Sequence, residues 1–260
     1  MPLIIDSHQD LAWNMLTYKR DYTRSVAETR RLESNTLIPE RNGDTLLGWD
    51  EYQRGNVAVV FSTLFAVPAR KKELWDTIWY PDFDTARRLY RDQILLYHKM
   101  TDSHPDKFRL ITSTKELDSI IDHWSKPAKE DEGHPVGLIC LMEGAEGIRS
   151  PHELSEWWDL GLRMIGLAWA GTRYCGGTND PGPLTDEGRK LLSAMADYKF
   201  FLDLSHMDED SALESLDRYE GPVMATHANC AALLQGADTN RHLPDRVIHG
   251  LIERGGVIGS

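Results

Sequence analysis

Five residues carry the chemistry this sequence offers. His8 and Asp10 stand two apart, directly after the apolar run Leu3–Asp6. On an extended segment, positions i and i+2 point the same way, so both could reach one metal ion. Taken alone, this pair reads equally as a loop histidine and a turn aspartate. Glu143 closes the run VGLICLME and is followed by Gly144. A carboxylate at the buried end of a strand is costly unless it is paired or metal-bound; its bland alternative is a helix-capping acid. His206 closes FFLDLSH and His227 closes PVMATH. Neutral imidazole is the commonest metal ligand, and with carboxylate oxygens it suits zinc and related divalent ions. Singly, each histidine reads better as a hydrogen-bonded core residue. Together, four residues closing strands and Asp10 just beyond one place five candidate ligands at one end of a sheet. One carboxylate is free to bridge and no thiolate is at hand, so two ions about 4 Å apart are the natural arrangement, with metal-assisted hydrolysis as the chemistry. No GxSxG elbow competes as a nucleophile, and no GxGxxG or GxxxxGK[ST] loop points to a dinucleotide or to phosphoryl transfer.

These residues need strands to hold them. Candidate strands are Leu3–Asp6, Asn56–Phe65, Val136–Met142, Arg163–Leu167, Phe200–Leu204, Pro222–Thr226 and Gly256–Ile258. Several are apolar on both faces, as parallel strands covered by helices are. Helices fall between them: Asp82 to Met100 carries an apolar stripe, Thr185 can cap a helix through Lys199, and Pro244–Asp245 begin one that stops at Gly255–Gly256. The alternation predicts a single α/β domain over 1–260, a (β/α)8 TIM-barrel-like fold in preference to an open sheet. Seven strands are counted where a closed barrel needs eight, so the last strand is expected to be missing. The polar stretch Tyr18–Asp44 either covers the barrel mouth or forms a mobile surface loop. The remaining histidines, such as His98, His104, His123, His134, His152 and His249, read as surface residues, and Trp157–Trp158 and Trp75/Trp79 as packing groups.

Composition narrows the classes. Apolar residues make up 41% and charged residues 27%, as in ordinary globular proteins, and the net charge is −12. That balance opposes binding to nucleic acid or to an anionic membrane surface. Part of the acidity suits a site for divalent cations. No apolar run approaches the roughly 18 residues of a membrane span. The opening MPLIIDSHQD lacks the basic and apolar regions of a signal peptide. Three scattered cysteines, Cys140, Cys175 and Cys230, form neither a disulfide framework nor a CxxC site, which fits a reducing cytoplasm.

The segments IDSHQDLAWN, GNVAVVFSTLF, LMEGAEGI, LDLSHMDEDS, MATHANCAAL and TNRHLPDRVI resemble, in order, the signature segments of the renal or membrane dipeptidase family of metallopeptidases. The resemblance covers nearly the whole chain. It implies a (β/α)8 barrel with two zinc ions that cleaves dipeptides, often with a D-residue at the C-terminal position, by attack of a metal-bridging hydroxide. By the same resemblance, His8 and Asp10 would bind one ion, His206 and His227 the other, and Glu143 would bridge both. Arg241 would hold the substrate carboxylate, for which its planar fork is suited; read without the family it is a surface arginine before a helix. Trp169 stands where better-known members place a histidine against the reacting carbonyl. Family members also end on an eighth strand whose aspartate handles protons, with no counterpart after Ser260, and they are often homodimers. Two alternatives stay open: another amidohydrolase-like barrel acting on a cyclic amide, lactone or ester, and an inactive metal-binding scaffold.

Overall fold

A computed structural model describes residues 2–127, 133–234, 236–237 and 239–259. Ten strands lie among them: β1 (Ile4–Gln9), β2 (Val57–Leu64), β3 (Val67–Pro68), β4 (Trp79–Tyr80), β5 (Phe108–Leu110), β6 (Val136–Glu143), β7 (Leu162–Gly166), β8 (Phe201–Asp203), β9 (Val223–Ala225) and β10 (Val257–Ile258). Eight join one parallel sheet in the order β1-β2-β6-β7-β8-β9-β10, with β5 paired to β6; β3 and β4 form a separate pair. Each return to the same end of a parallel sheet needs a crossover, which the helices supply.

The sheet therefore holds eight strands where the sequence shows seven. The one missed is β5, whose three residues are too short for periodicity to register. It meets only the start of β6, Phe108↔Val136 to Leu110↔Leu138, while β2 pairs β6 directly and β7 takes its far end, Cys140↔Leu162 to Glu143↔Gly166. The path ends at β1 and β10, and no ladder joins those two strands among the described residues. They do converge: a Cβ on Gly259 would stand 2.1 Å from Ser7 Oγ.

Side chains of one face fill the curl of the sheet. Leu141, Met164 and Met224 cluster there with Phe61, four residues from four strands. Glu143 is two residues beyond Leu141 on β6, so it shares that face. The other face packs under helices. The longest, Phe83–Ser103, starts at Asp82, whose side chain accepts the Thr85 N–H at 2.7 Å. It buries Ala86, Tyr90, Ile94 and Tyr97, a helical stripe. Two of its hydroxyls pin the strand ends that carry the site: Tyr90 donates to the Glu143 carbonyl at 2.7 Å, and Tyr97 to the Thr63 carbonyl at 2.8 Å. His98, read from sequence as a surface residue, is half-buried on this helix, with Nε2 2.9 Å from the Leu160 carbonyl. Trp157 packs fully as expected, but Trp75 stays 48% exposed.

The Tyr18–Asp44 stretch is folded. It forms the helices Val26–Glu33 and Ile38–Asn42 and is tied back by Arg20, which makes a fork–fork pair with Glu33 at 2.8 and 3.0 Å. Both side chains are buried, so removing one partner leaves an uncompensated charge. Glu33→Ala is expected to cost about 3–5 kcal/mol, measured by denaturant unfolding. A loss below about 1 kcal/mol, the worth of an exposed pair, would show that the pair is solvated in solution. No helix among the described residues is long and apolar enough to cross a membrane.

Candidate metal centre

The five residues singled out from sequence meet at one end of the sheet. His8 lies at the end of β1, where the ladder to β2 slips between Asp6 and Gln9. Its Nε2 is 3.5 Å from Asp10 Oδ2 and 3.9 Å from Glu143 Oε2. Asp10 stands at the N-cap of the helix Leu11–Tyr18, yet its side chain makes no capping bond, and its Oδ1 is buried without a partner. An aspartate that leaves its capping role open and keeps an orphaned oxygen is suited to bind a metal ion. Glu143 closes β6 and caps no helix; its second oxygen, Oε1, is 2.9 Å from His206 Nε2 and 3.3 Å from His227 Nε2. The two histidine Nε2 atoms are 3.0 Å apart, and the rings of His8 and His227 stack at 3.6 Å. His8, Glu143 and His227 offer ligand atoms all within 4.8 Å of one another. Nitrogen and carboxylate oxygen with no thiolate is a donor set for zinc or a related divalent ion, so the residues present fit a metal.

Charge is concentrated here. Burial alone would neutralise Glu143, but His8, His206 and His227 hold its carboxyl well below the usual range. Burial likewise opposes a charge on His8, yet Glu143 and then Asp10 outweigh it and push its pKa up to about 9. For His206 burial wins and its pKa falls. Such opposed shifts in one cluster mark a functional site more often than a structural one.

A surrounding layer of polar groups orients the rings, and the sequence reading missed all of it. Thr63 Oγ1 stands 3.3 Å from His8 Nδ1, Thr178 Oγ1 3.0 Å from His206 Nδ1, and Thr226 Oγ1 2.8 Å from His227 Nδ1. Asp203 lies behind Thr226 at 2.5 Å. Three of these had a signal: Thr63, Asp203 and Thr226 are polar residues inside apolar runs, all nearly fully buried. Thr178 had none, since a loop brings it in. Gly177 lets that loop close: a Cβ there would sit 2.5 Å from the Ala170 carbonyl carbon. His206 itself adopts φ 66°, the left-handed region uncommon for a residue with a side chain.

Arg241 and Trp169 also reach the centre. Arg241 Nη2 donates to the His227 carbonyl at 2.6 Å, while its Nη1 is buried with no partner. Burial lowers its pKa. It is thus not the surface arginine that sequence alone favours. Trp169 is half-buried, its ring 6.4 Å from His206 and 5.1 Å from Phe65.

Residues 1–259 match the family described as membrane dipeptidase (peptidase family M19). An uncharacterized protein in the PQQ-III 3′ region of Acinetobacter calcoaceticus is 31% identical over 134 residues, 48% of this chain and 42% of that protein. Dipeptidase tcpJ of Claviceps purpurea is 29% identical over 131 residues, 47% of this chain and 30% of that protein. These matches span half or less of the curated relatives' own length. Among solved structures, a metallo peptidase from Rhodobacter sphaeroides, liganded with a phosphinate mimic of the dipeptide L-Ala-D-Ala, superposes with a TM-score of 0.74 at 22% identity. The overlap covers 99% of this chain and 73% of that one, and the likeness is one of fold.

Proposed function

Because the chain belongs to the membrane dipeptidase family (peptidase family M19), we propose that it is a dinuclear zinc dipeptidase acting on free dipeptides, L,D-dipeptides among them. The observation that carries this reading is the placement of Glu143. Its Oε2 faces His8 and its Oε1 faces His206 and His227, so one carboxylate has an oxygen for each of two ligand groups. His8 and Asp10 would hold one ion and His206 and His227 the other, with Glu143 shared. Bound there, divalent cations supply Lewis acidity toward the peptide carbonyl and toward an attacking water.

The chain's own residues do the rest. Arg241 has a buried N–H with no protein partner beside His227, placed to donate to a substrate carboxylate. The indole of Trp169 walls the side of His206. In the metal-free protein His8 keeps its proton at neutral pH, being pushed up to about 9, and a ligand must be neutral, so loading that position releases the proton. Three free thiols, two of them buried, suit a reducing compartment, and we place the protein in the cytoplasm.

A substrate panel tests the assignment. The zinc-loaded chain is expected to hydrolyse L-Ala-L-Ala or L-Ala-D-Ala and to leave lactones and cyclic amides untouched. Turnover of a lactone or cyclic amide without any dipeptide would overturn it.

A further inference from the structure

Each imidazole of the centre meets a threonine hydroxyl at Nδ1, but only one of those hydroxyls has its hydrogen already committed. Thr226 Oγ1 lies 2.5 Å from Asp203 Oδ2 and 2.8 Å from His227 Nδ1. The other Asp203 oxygen, Oδ1, accepts the backbone N–H groups of Ser205 at 3.0 Å and of Thr226 at 2.9 Å. A carboxylate accepts and does not donate, and a hydroxyl carries a single hydrogen. The Thr226 hydrogen therefore goes to Asp203, at a separation typical of a charge-assisted O–H···O bond. Toward His227 the hydroxyl can only accept, so the ring must bring the proton on Nδ1. Ser205 completes the accounting. Its Oγ accepts the His227 backbone N–H at 3.1 Å, and its own hydrogen can reach Thr226 Oγ1 at 3.3 Å. Thr226 then uses its one donor and two acceptor positions in full.

We propose that Asp203 and Thr226 are positioning residues that hold His227 as its Nδ1–H tautomer and so turn the Nε2 lone pair toward Glu143. The purpose rests on His227 being a metal ligand; the tautomer itself does not. Glu143 and His206 pull the other way, since Glu143 Oε1 at 3.3 Å and His206 Nε2 at 3.0 Å from His227 Nε2 would each favour a proton there. The contact to Thr226 is shorter, and behind it stands a buried carboxylate with three donors of its own. His8 and His206 lack this device. The hydroxyls of Thr63 and Thr178 bond only the imidazole among the hydrogen bonds of the described residues, so they can turn either way.

Nitrogen NMR of the uniformly labelled, metal-free chain reads the tautomer directly at a pH where the ring is neutral, with His227 assigned by comparison with His227→Gln. Wild type should show a protonated Nδ1 and an unprotonated Nε2. Asp203→Asn keeps the shape, but its amide would donate to Thr226 Oγ1, turn the hydroxyl hydrogen toward the ring and move the ring proton to Nε2. Thr226→Val should move it likewise by removing the acceptor, and Thr226→Ser should keep it on Nδ1. Zinc affinity should fall about 10- to 100-fold in Asp203→Asn and Thr226→Val, the usual effect of losing such a partner, and should hold in Thr226→Ser. A wild-type ring protonated at Nε2, or an unchanged tautomer in folded Asp203→Asn, would overturn the proposal. A wild-type chain that shows Nδ1–H yet binds no zinc would overturn the metal reading and still support the tautomer.

Discussion

Glu143→Ala is expected to abolish binding of both proposed zinc ions and to lower the proposed dipeptide turnover roughly a thousand-fold or more. The loss of a single preorganised charge stabiliser at a reacting carbonyl already costs about a hundred- to a thousand-fold, and this substitution removes the residue that both proposed ligand groups share. The fold should persist. The Glu143 backbone carbonyl still accepts from Tyr90, and the variant loses a buried carboxylate without opening a ladder. His8→Ala provides the contrast, because His8 touches only the Oε2 side of Glu143 and should weaken mainly one ion. Elemental analysis of both variants after dialysis checks this. Equal metal retention in the two would contradict the shared role of Glu143.

Arg241→Ala should act on substrate and not on metal. An arginine–carboxylate hydrogen bond is worth about 1.5–3 kcal/mol, which is roughly 10- to 150-fold in kcat/KM. Binding of a remote carboxylate is the same in ground and transition states, so the loss should appear in KM with kcat little changed. Arg241→Lys should recover only part of it, since a point charge lacks the two-pronged fork. A dipeptide amide has no carboxylate and should lose little between wild type and variant. If the amide loses as much as the free dipeptide, Arg241 serves the structure around the His227 carbonyl and not the substrate.

Much of this was legible in the residues. His8, Glu143, His206 and His227 each close an apolar run, and that regularity reflects how a parallel sheet presents its C-terminal edge. Asp10 follows from the two-residue spacing. The missing pieces share a physical cause. Strand β5 is three residues long and pairs only with the start of β6, too little chain for alternation to show. Arg241 looks like a surface residue because its burial comes from tertiary packing beside His227, across 14 residues of chain. Thr178 reaches His206 only because the backbone of Gly177 can lie against Ala170. The pairing of Asp203 with Thr226 joins β8 to the residue just after β9, a contact set by register and not by sequence spacing. Hydrophobic pattern reports which residues close strands; it does not report which hydroxyl faces which ring.

Crystals of the chain soaked in zinc, with diffraction recorded on both sides of the zinc absorption edge, test the central claim most directly. Two anomalous peaks are predicted on either side of the Glu143 carboxylate, one against His8 and Asp10 and the other against His206 and His227. No peak at Glu143, or zinc bound only elsewhere on the chain, would contradict the account.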